Sequence, residues 1–106
     1  MKYLTITSRT DAYFALPEEE RNKLGAASIK WIADYKARKG DKFRFFGSAG
    51  DNRNYSLTEF DTYEEYAQSL RSPAFVRGFL KVESIPLYEV DDKMLQPYLE
   101  QMKAAK

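Results

Sequence analysis

The chain has no cysteine and no histidine among its 106 residues. Without cysteine it has no disulfides, no thiolate catalysis and no cysteine-based zinc site. Without histidine it lacks the side chain best suited to proton transfer near neutral pH, and the commonest ligand of metals. Any chemistry must therefore rest on carboxylates, Tyr, Lys, Arg or water, and we expect no cofactor and no metal site.

An excess of one charge and long apolar segments are also missing. Seventeen Lys and Arg residues against sixteen Asp and Glu residues leave a net charge of +1. Nucleic-acid-binding domains normally carry a basic excess or stripe, so we expect no nucleic-acid partner. No apolar run approaches a membrane span, and the first residues lack the apolar centre of a signal peptide. We expect no membrane association and a cytoplasmic location.

Length and apolar content, 43%, predict a single domain over residues 1–106. Residues 2–9 alternate between apolar and polar side chains, which predicts a strand. Pro17 and the three glutamates after it predict a helix start, and Gly40 predicts the stop of that helix. Between them Leu24 and Trp31 belong to an apolar stripe at helical spacing.

The second half, from Lys42 to Val90, predicts strand, loop, strand, helix, turn and strand. Thr62 and Glu65 have the Thr-x-x-Glu spacing of a capping box, which predicts a helix start. Pro86 indicates that the last strand lies at a sheet edge, at a bulge or near its own end there. The whole order is βαββαβ, so we expect a ferredoxin-like α+β fold with a four-stranded antiparallel sheet and both helices on one face.

The segment after Asp91 predicts an extra C-terminal helix. Its apolar residues recur at helical spacing: Met94, Leu95, Tyr98, Leu99 and Met102. This stripe packs either on the chain's own sheet or across a subunit boundary, since an exposed stripe of that size marks an interface.

Alternation also predicts which side of the sheet each residue faces. The side toward the helices is expected to carry Leu4, Ile6, Phe43, Phe45, Tyr55 and Leu57. The other side is expected to carry Tyr3, Thr5, Thr7, Arg9, Arg44, Phe46, Ser56, Thr58 and Glu83. Such a mixed aromatic and polar surface is not expected to stay in water. We therefore expect a second sheet from a second copy to cover it, which gives a homodimer or a higher oligomer.

Residues 42–92 resemble the C-terminal half of muconolactone isomerase-type proteins of the dimeric α+β barrel superfamily, and they are similarly close to other, uncharacterised bacterial barrels of that superfamily. The resemblance rests on Ala49-Gly50, then Asn54-Tyr55-Ser56, a capped helix and a strand ending near Pro86. It implies a dimeric barrel built from the sheets of two subunits, with a ligand cavity between each sheet and its helices or loops. Isomerases of this type carry a histidine in the loop that reads Asp51-Asn52-Arg53 here, so the resemblance implies the barrel more directly than the reaction.

Charged residues after the first strand and in the second loop are expected at the same end of the sheet. Guanidinium groups suit carboxylates, so Arg9, Arg44 and Arg53 are predicted to hold an anionic substrate. Asp51 or Glu83 would then move a proton. Tyr55 or Tyr13 would donate a hydrogen bond to the developing enolate. The alternative is that these charges form ordinary surface pairs, with Arg44 and Glu83 as one structural pair.

The predicted function is binding of a small molecule. Within the resemblance, the activity would be cofactor-independent isomerisation or monooxygenation of a small hydrophobic acid or an enolisable carbonyl. The alternative is a non-catalytic binding or stress-associated barrel protein. A third interpretation, an RNA-binding module, lacks the aromatic pair expected on central strands.

Overall fold

The computed structural model describes residues 1–105; Lys106, which the predicted domain includes, lies outside them. Four strands and five α-helices follow one another as β1 (Lys2–Arg9), α1 (Asp11–Phe14), α2 (Glu18–Lys39), β2 (Phe43–Gly47), β3 (Arg53–Glu59), α3 (Tyr63–Ser69), α4 (Pro73–Val76), β4 (Leu80–Leu87) and α5 (Asp92–Ala104). The described chain is therefore α+β. None of its described helices combines the length and the apolar character needed to cross a membrane.

Local signals set the ends of the two main helices as predicted. Helix α2 begins directly after Pro17 and ends at Gly40, whose φ of 58° favours glycine. At the start of α3 the Thr62 hydroxyl accepts a hydrogen bond from the Glu65 N–H at 3.1 Å. The Glu65 carboxylate in turn accepts one from the Asp61 N–H at 3.0 Å. Thr62 is confirmed as the N-cap of α3, and the Glu65 carboxylate bonds the N–H one residue before the cap instead of the Thr62 N–H of a strict capping box.

The four strands form one antiparallel sheet in the order β2-β3-β1-β4. This order and the sequence of elements are compatible with the predicted ferredoxin-like fold. Strands β1 and β3 are central, and β2 and β4 are the edges. Pro86 lies opposite Tyr3 near the end of the edge strand β4, in agreement with the predicted edge position.

The buried core lies between the sheet and the helices. Tyr35 of α2, Phe43 of β2 and Phe60 are its most buried apolar residues, and the rings of Tyr35 and Phe43 meet edge to face at 4.9 Å. Tyr66 of α3 stacks on Tyr3 of β1 with ring centres 4.0 Å apart. Helices α2 and α3 therefore cover the same side of the sheet, which we call the helix side.

The strand register corrects the predicted sides of the sheet. Residues directly opposite in an antiparallel pair share a side. Phe43 faces Tyr35, so its partner Thr58 and the next partner Tyr3 also face the helices. The placements of Phe43, Phe45, Arg44, Phe46 and Glu83 are correct. The remaining placements are wrong, because each residue lies on the side opposite to the predicted one. The residues that face away from the helices are Leu4, Ile6, Tyr55 and Leu57, and those that face the helices are Tyr3, Thr5, Thr7, Arg9, Ser56 and Thr58.

This arrangement leaves an apolar surface without a cover, which we call the open side. Its centre consists of Leu4, Ile6, Leu57 and Ile85, with Phe46, Tyr55 and Leu87 beside them. The predicted alternation is present: the apolar residues share one side of the sheet. Alternation shows that this side needs to be buried, but it does not show whether the helices or another molecule bury it.

Helix α5 lies away from the rest of the chain. The radius of gyration is 18.0 Å, against about 13 Å for a compact chain of this length. Every residue from 85 to 105 is exposed, and no described helix or strand packs extensively against α5. The extra helix was predicted, but the interpretation that it packs on its own sheet is wrong.

Candidate functional site

A cavity of about 530 Å³ lies between α2 and the helix side of the sheet. Its volume falls in the range of small-molecule sites, roughly 300–1,000 Å³. Aromatic rings form much of its wall, among them Trp31, Tyr35, Phe43, Phe45, Phe75 and Phe79. The cavity therefore offers an apolar environment for a ligand of modest size.

The cavity exists because α2 packs on the sheet through only part of its length. Ile32 and Tyr35, in the C-terminal half of α2, join the core against Phe43. Leu24 and Ser28, one to three turns earlier, line the cavity without joining that core. Trp31 stacks on Tyr35 with ring centres 4.8 Å apart and remains 43% exposed, so it forms the wall at the mouth of the cavity.

The floor of the cavity carries polar side chains from the two central strands. The register places Thr5 opposite Ser56 and Thr7 opposite Asn54, and all four line the cavity. Hydroxyl and amide groups can both donate and accept hydrogen bonds. The floor can therefore orient a polar group of a ligand while the aromatic wall contacts its apolar part.

One end of the cavity is positively charged. Arg9, at the end of β1, is the only charged residue among the described residues that line the cavity. Its guanidinium lies over the Tyr13 ring, 5.2 Å from the ring centre. Arg9 and Tyr13 were both predicted as substrate-binding residues, and the structure brings them together at this end. An anionic group of a ligand would be favoured here.

A second, open cleft lies beside this end, between Arg9 and the loop that joins β2 to β3. Asn52 donates a side-chain hydrogen bond to the Arg9 carbonyl at 3.2 Å, which ties the loop to the end of β1. Asp51 Oδ2 lies 3.6 Å from Arg53 Nε, and both side chains are about half exposed. The predicted proximity of the two loops is confirmed, and Asp51 and Arg53 form a surface ion pair with each other.

The remaining predicted site residues lie on the open side, across the sheet from the cavity. Tyr55 and Glu83 are both register partners of Ile6. Arg44 lies over the Phe46 ring at 5.2 Å. The predicted Arg44–Glu83 pair is wrong, because β3 and β1 separate the strands that carry the two residues.

The three predicted catalytic residues share a neighbourhood with Arg53. The pKa of Arg53 is raised, first by a hydrogen bond with the Tyr55 side chain and then by the charges of Tyr55, Asp51 and Glu83. Glu83 also lies 3.7 Å from Lys81. The structure does not bring Asp51, Tyr55 or Glu83 into the cavity, so a catalytic role for them stays a prediction that concerns another surface.

An ion pair joins the two helices that cover the core. Lys39 Nζ at the end of α2 lies 2.6 Å from Glu65 Oε1 at the start of α3. The hydrogen bond from Lys39, followed by that from the Asp61 N–H, lowers the pKa of Glu65. Burial, followed by the Glu65 charge, raises the pKa of Tyr35. The Tyr35 hydroxyl is buried without a hydrogen-bond partner among the described residues.

A cavity between the sheet and its helices was expected, but the residues of its wall and floor, apart from Arg9 and Tyr13, were not predicted as site residues. Trp31 and Tyr35 have helical spacing in α2, which is equally typical of a core. The signal that could have identified the floor is the row of small hydroxyl residues, Thr5 and Thr7 on one strand and Ser56 on the next. Small polar side chains beneath large aromatic ones leave space that packing does not fill.

These features define the class of the protein: an α+β chain with a four-stranded antiparallel sheet and a cavity between that sheet and its longest helix. No protein-family model matches the chain, and no curated protein matches it. The function must therefore be argued from the cavity and the surfaces themselves.

Proposed function

We propose that the protein is a homodimeric α+β barrel that binds a small, mainly apolar molecule with an anionic group in the cavity beneath α2. The observation that carries the proposal is the combination of aromatic wall, hydroxyl floor and single guanidinium in one cavity of about 530 Å³. The ligand class is a small hydrophobic acid. Its apolar body contacts Trp31 and Phe45, and its acid group lies near Arg9.

Binding is the part of the function that the cavity supports most directly. A carboxylate or lysine that could move a proton is missing from the described lining, and Arg9 is its one charged group. Cofactor-independent isomerisation or monooxygenation remains the activity implied by the resemblance. The non-catalytic barrel protein needs only the binding site, so turnover is not required by this proposal.

The open side supports the dimeric part of the proposal. Leu4 and Ile6 lie on a central strand and remain only half-buried, and Phe46 and Ile85 beside them are 42% exposed. Charged residues such as Arg44 and Lys81 lie toward the edges. An apolar centre with a charged rim is typical of an interface. Two such sheets packed face to face would form the barrel, and light scattering should report about twice 12.3 kDa.

A matched pair of fluorescent probes tests the binding site. Anilinonaphthalene sulfonate is an aromatic anion, and phenylnaphthylamine has the same ring system without the sulfonate. We expect the chain to bind both, because both suit an aromatic wall. Arg9→Gln should weaken the anionic probe roughly tenfold, which corresponds to about 1.4 kcal/mol, and should leave the neutral probe unchanged.

The control is Arg71→Gln, which removes an equal charge from an exposed position outside the cavity. It should change neither dissociation constant. Small hydrophobic acids such as phenylacetate should then displace the probes from the parent chain. If Arg9→Gln weakens the binding of both probes equally, or weakens the binding of neither, Arg9 does not belong to the site.

A further inference from the structure

The C-terminal arm, residues 88–105, contains the link after β4 and helix α5. Local signals specify the helix: the Asp91 carboxylate accepts a hydrogen bond from the Met94 N–H at 2.8 Å, and Lys103 lies in the last turn. A helix of 13 residues is marginal in water by itself. Packing against another surface must therefore supply most of its stability.

One side of α5 is apolar and exposed. The stripe consists of Met94, Leu95, Tyr98, Leu99 and Met102, and all five are exposed, Tyr98 by 66% and Met102 by 65%. Polar residues such as Lys93 and Glu100 occupy the opposite side of the helix. A helix with one apolar stripe is normally covered along that stripe.

The chain itself does not supply the cover. The described residues span 61 Å in their longest dimension against 29 and 20 Å in the other two, and every residue from 85 to 105 is exposed. No described helix or strand packs extensively against α5. The surface that receives the stripe therefore belongs to another molecule.

The area of the open side, and its continuity with the arm, identify that molecule as a second copy of this chain. Strands of 8, 5, 7 and 8 residues, at about 3.3 Å per residue and about 4.8 Å spacing, outline a flat area of only about 450 Å² on the open side. A stable interface needs about 800 Å² per partner. Ile85 and Leu87 of the open side lead directly into exposed Tyr88 and Val90 of the arm. The arm thus extends the same apolar surface and can supply the missing area.

We propose that in the homodimer each C-terminal arm crosses to the other subunit and packs its apolar stripe there. This inference rests on the dimer proposed above. A two-fold axis makes the exchange reciprocal, so both stripes are covered by the same contact. The net charge of +1 per chain creates little repulsion between copies.

Sedimentation equilibrium on two full-length double variants tests the exchange. Leu95→Gln with Leu99→Gln removes two stripe residues, and Lys93→Gln with Glu100→Gln places the same amides on the opposite side of the same helix. We expect the stripe variant to raise the dimer dissociation constant at least tenfold over the control variant. Equal constants for two dimeric variants would overturn the arm exchange alone. A monomeric parent chain would overturn both the exchange and the proposed dimer.

A second measurement distinguishes a crossed arm from one that folds back. The chain has no cysteine, so Glu100→Cys gives a single attachment point for a nitroxide spin label. Spin-labelled chains are mixed with isotope-labelled parent chains, and amide signals of the parent chains are recorded. Broadening of those signals in the sheet or helices of the unlabelled partner is expected. Unchanged parent-chain signals in the mixed sample, with broadening seen only when one chain carries both labels, would overturn the proposal.

Discussion

The two sides of the sheet differ in chemistry, and the difference separates two tasks. The helix side has small polar residues such as Thr5 and Ser56 beneath aromatic rings, and it encloses a cavity. The open side has Leu4, Ile6 and Leu57 at its centre and encloses nothing. A surface that binds a ligand must leave space and offer hydrogen bonds, whereas a surface that binds another copy of itself must be apolar and continuous. One side is therefore suited to a ligand and the other to association.

The largest change that we expect is in the dimer dissociation constant, and it should follow from a charge at the centre of the open side. Leu4→Lys places an ammonium group opposite Leu57 and Ile85 in the proposed interface, where burial without a partner costs several kcal/mol. We expect a dimer dissociation constant raised about a thousandfold, equal to about 4 kcal/mol. Sedimentation equilibrium measures it, and binding of the neutral probe should persist.

Gln68→Lys adds the same charge at an exposed position of α3 and is the control for Leu4→Lys. It should leave association unchanged. A Leu4→Lys chain that remains dimeric would show that the open side is not the interface.

A smaller effect should follow from filling the cavity. Ser28 of α2 lines the cavity, so Ser28→Phe places a phenyl ring in the space that a ligand would occupy. We expect binding of the neutral probe to weaken at least tenfold, with the particle mass unchanged. Titration of probe fluorescence measures this change.

Ala33 lies on the exposed side of the same helix, and Ala33→Phe provides the matched control. It should bind the probe as the parent does. If both variants bind equally well, the probe does not occupy the cavity.

The smallest change that we expect is in folding stability, and it should follow from removing an ion pair on the helix side. Glu65→Gln keeps a side-chain acceptor for the Asp61 N–H and removes the charge paired with Lys39. We expect about 1 kcal/mol of stability to be lost at pH 7. The pKa of Glu65 is lowered from 4.5, so the contribution is present above that value and disappears as the pH falls through the lower folded-state pKa.

Urea unfolding at a fixed protein concentration measures this difference, which should shrink in acid while the dimer dissociation constant stays unchanged. Asp61→Asn removes the more exposed pair with Lys42, at 3.6 Å, and should have almost no effect. A Glu65→Gln difference that persists undiminished in acid would show that the charge pair is not its source.

The order of elements could be read from the sequence because local chemistry specifies it. Pro17 and Gly40 mark the ends of α2, and Thr62 with Glu65 marks the start of α3. The sides of the sheet could not be read in the same way. Alternation shows that Leu4 and Ile6 share a side, but the register with distant strands decides which layer lies over it.

The candidate site was predicted only in part, because local sequence places some of its residues and long-range packing places the others. Arg9 and Tyr13 follow one strand closely in sequence, so their proximity could be expected. Trp31 became a cavity wall only through the way α2 packs on the sheet, and that packing depends on residues far apart in the chain. Tyr55 was expected on the helix side together with Leu57, and the register places both on the open side.

The edges of the sheet decide what kind of assembly the chain avoids. Strand β2 is only five residues long, and β4 contains Pro86, which has no backbone N–H for a further ladder. Short and interrupted edges are poor templates for strand addition. Growth along the hydrogen-bonding direction, which leads to fibrils, is therefore discouraged even though apolar residues are abundant nearby.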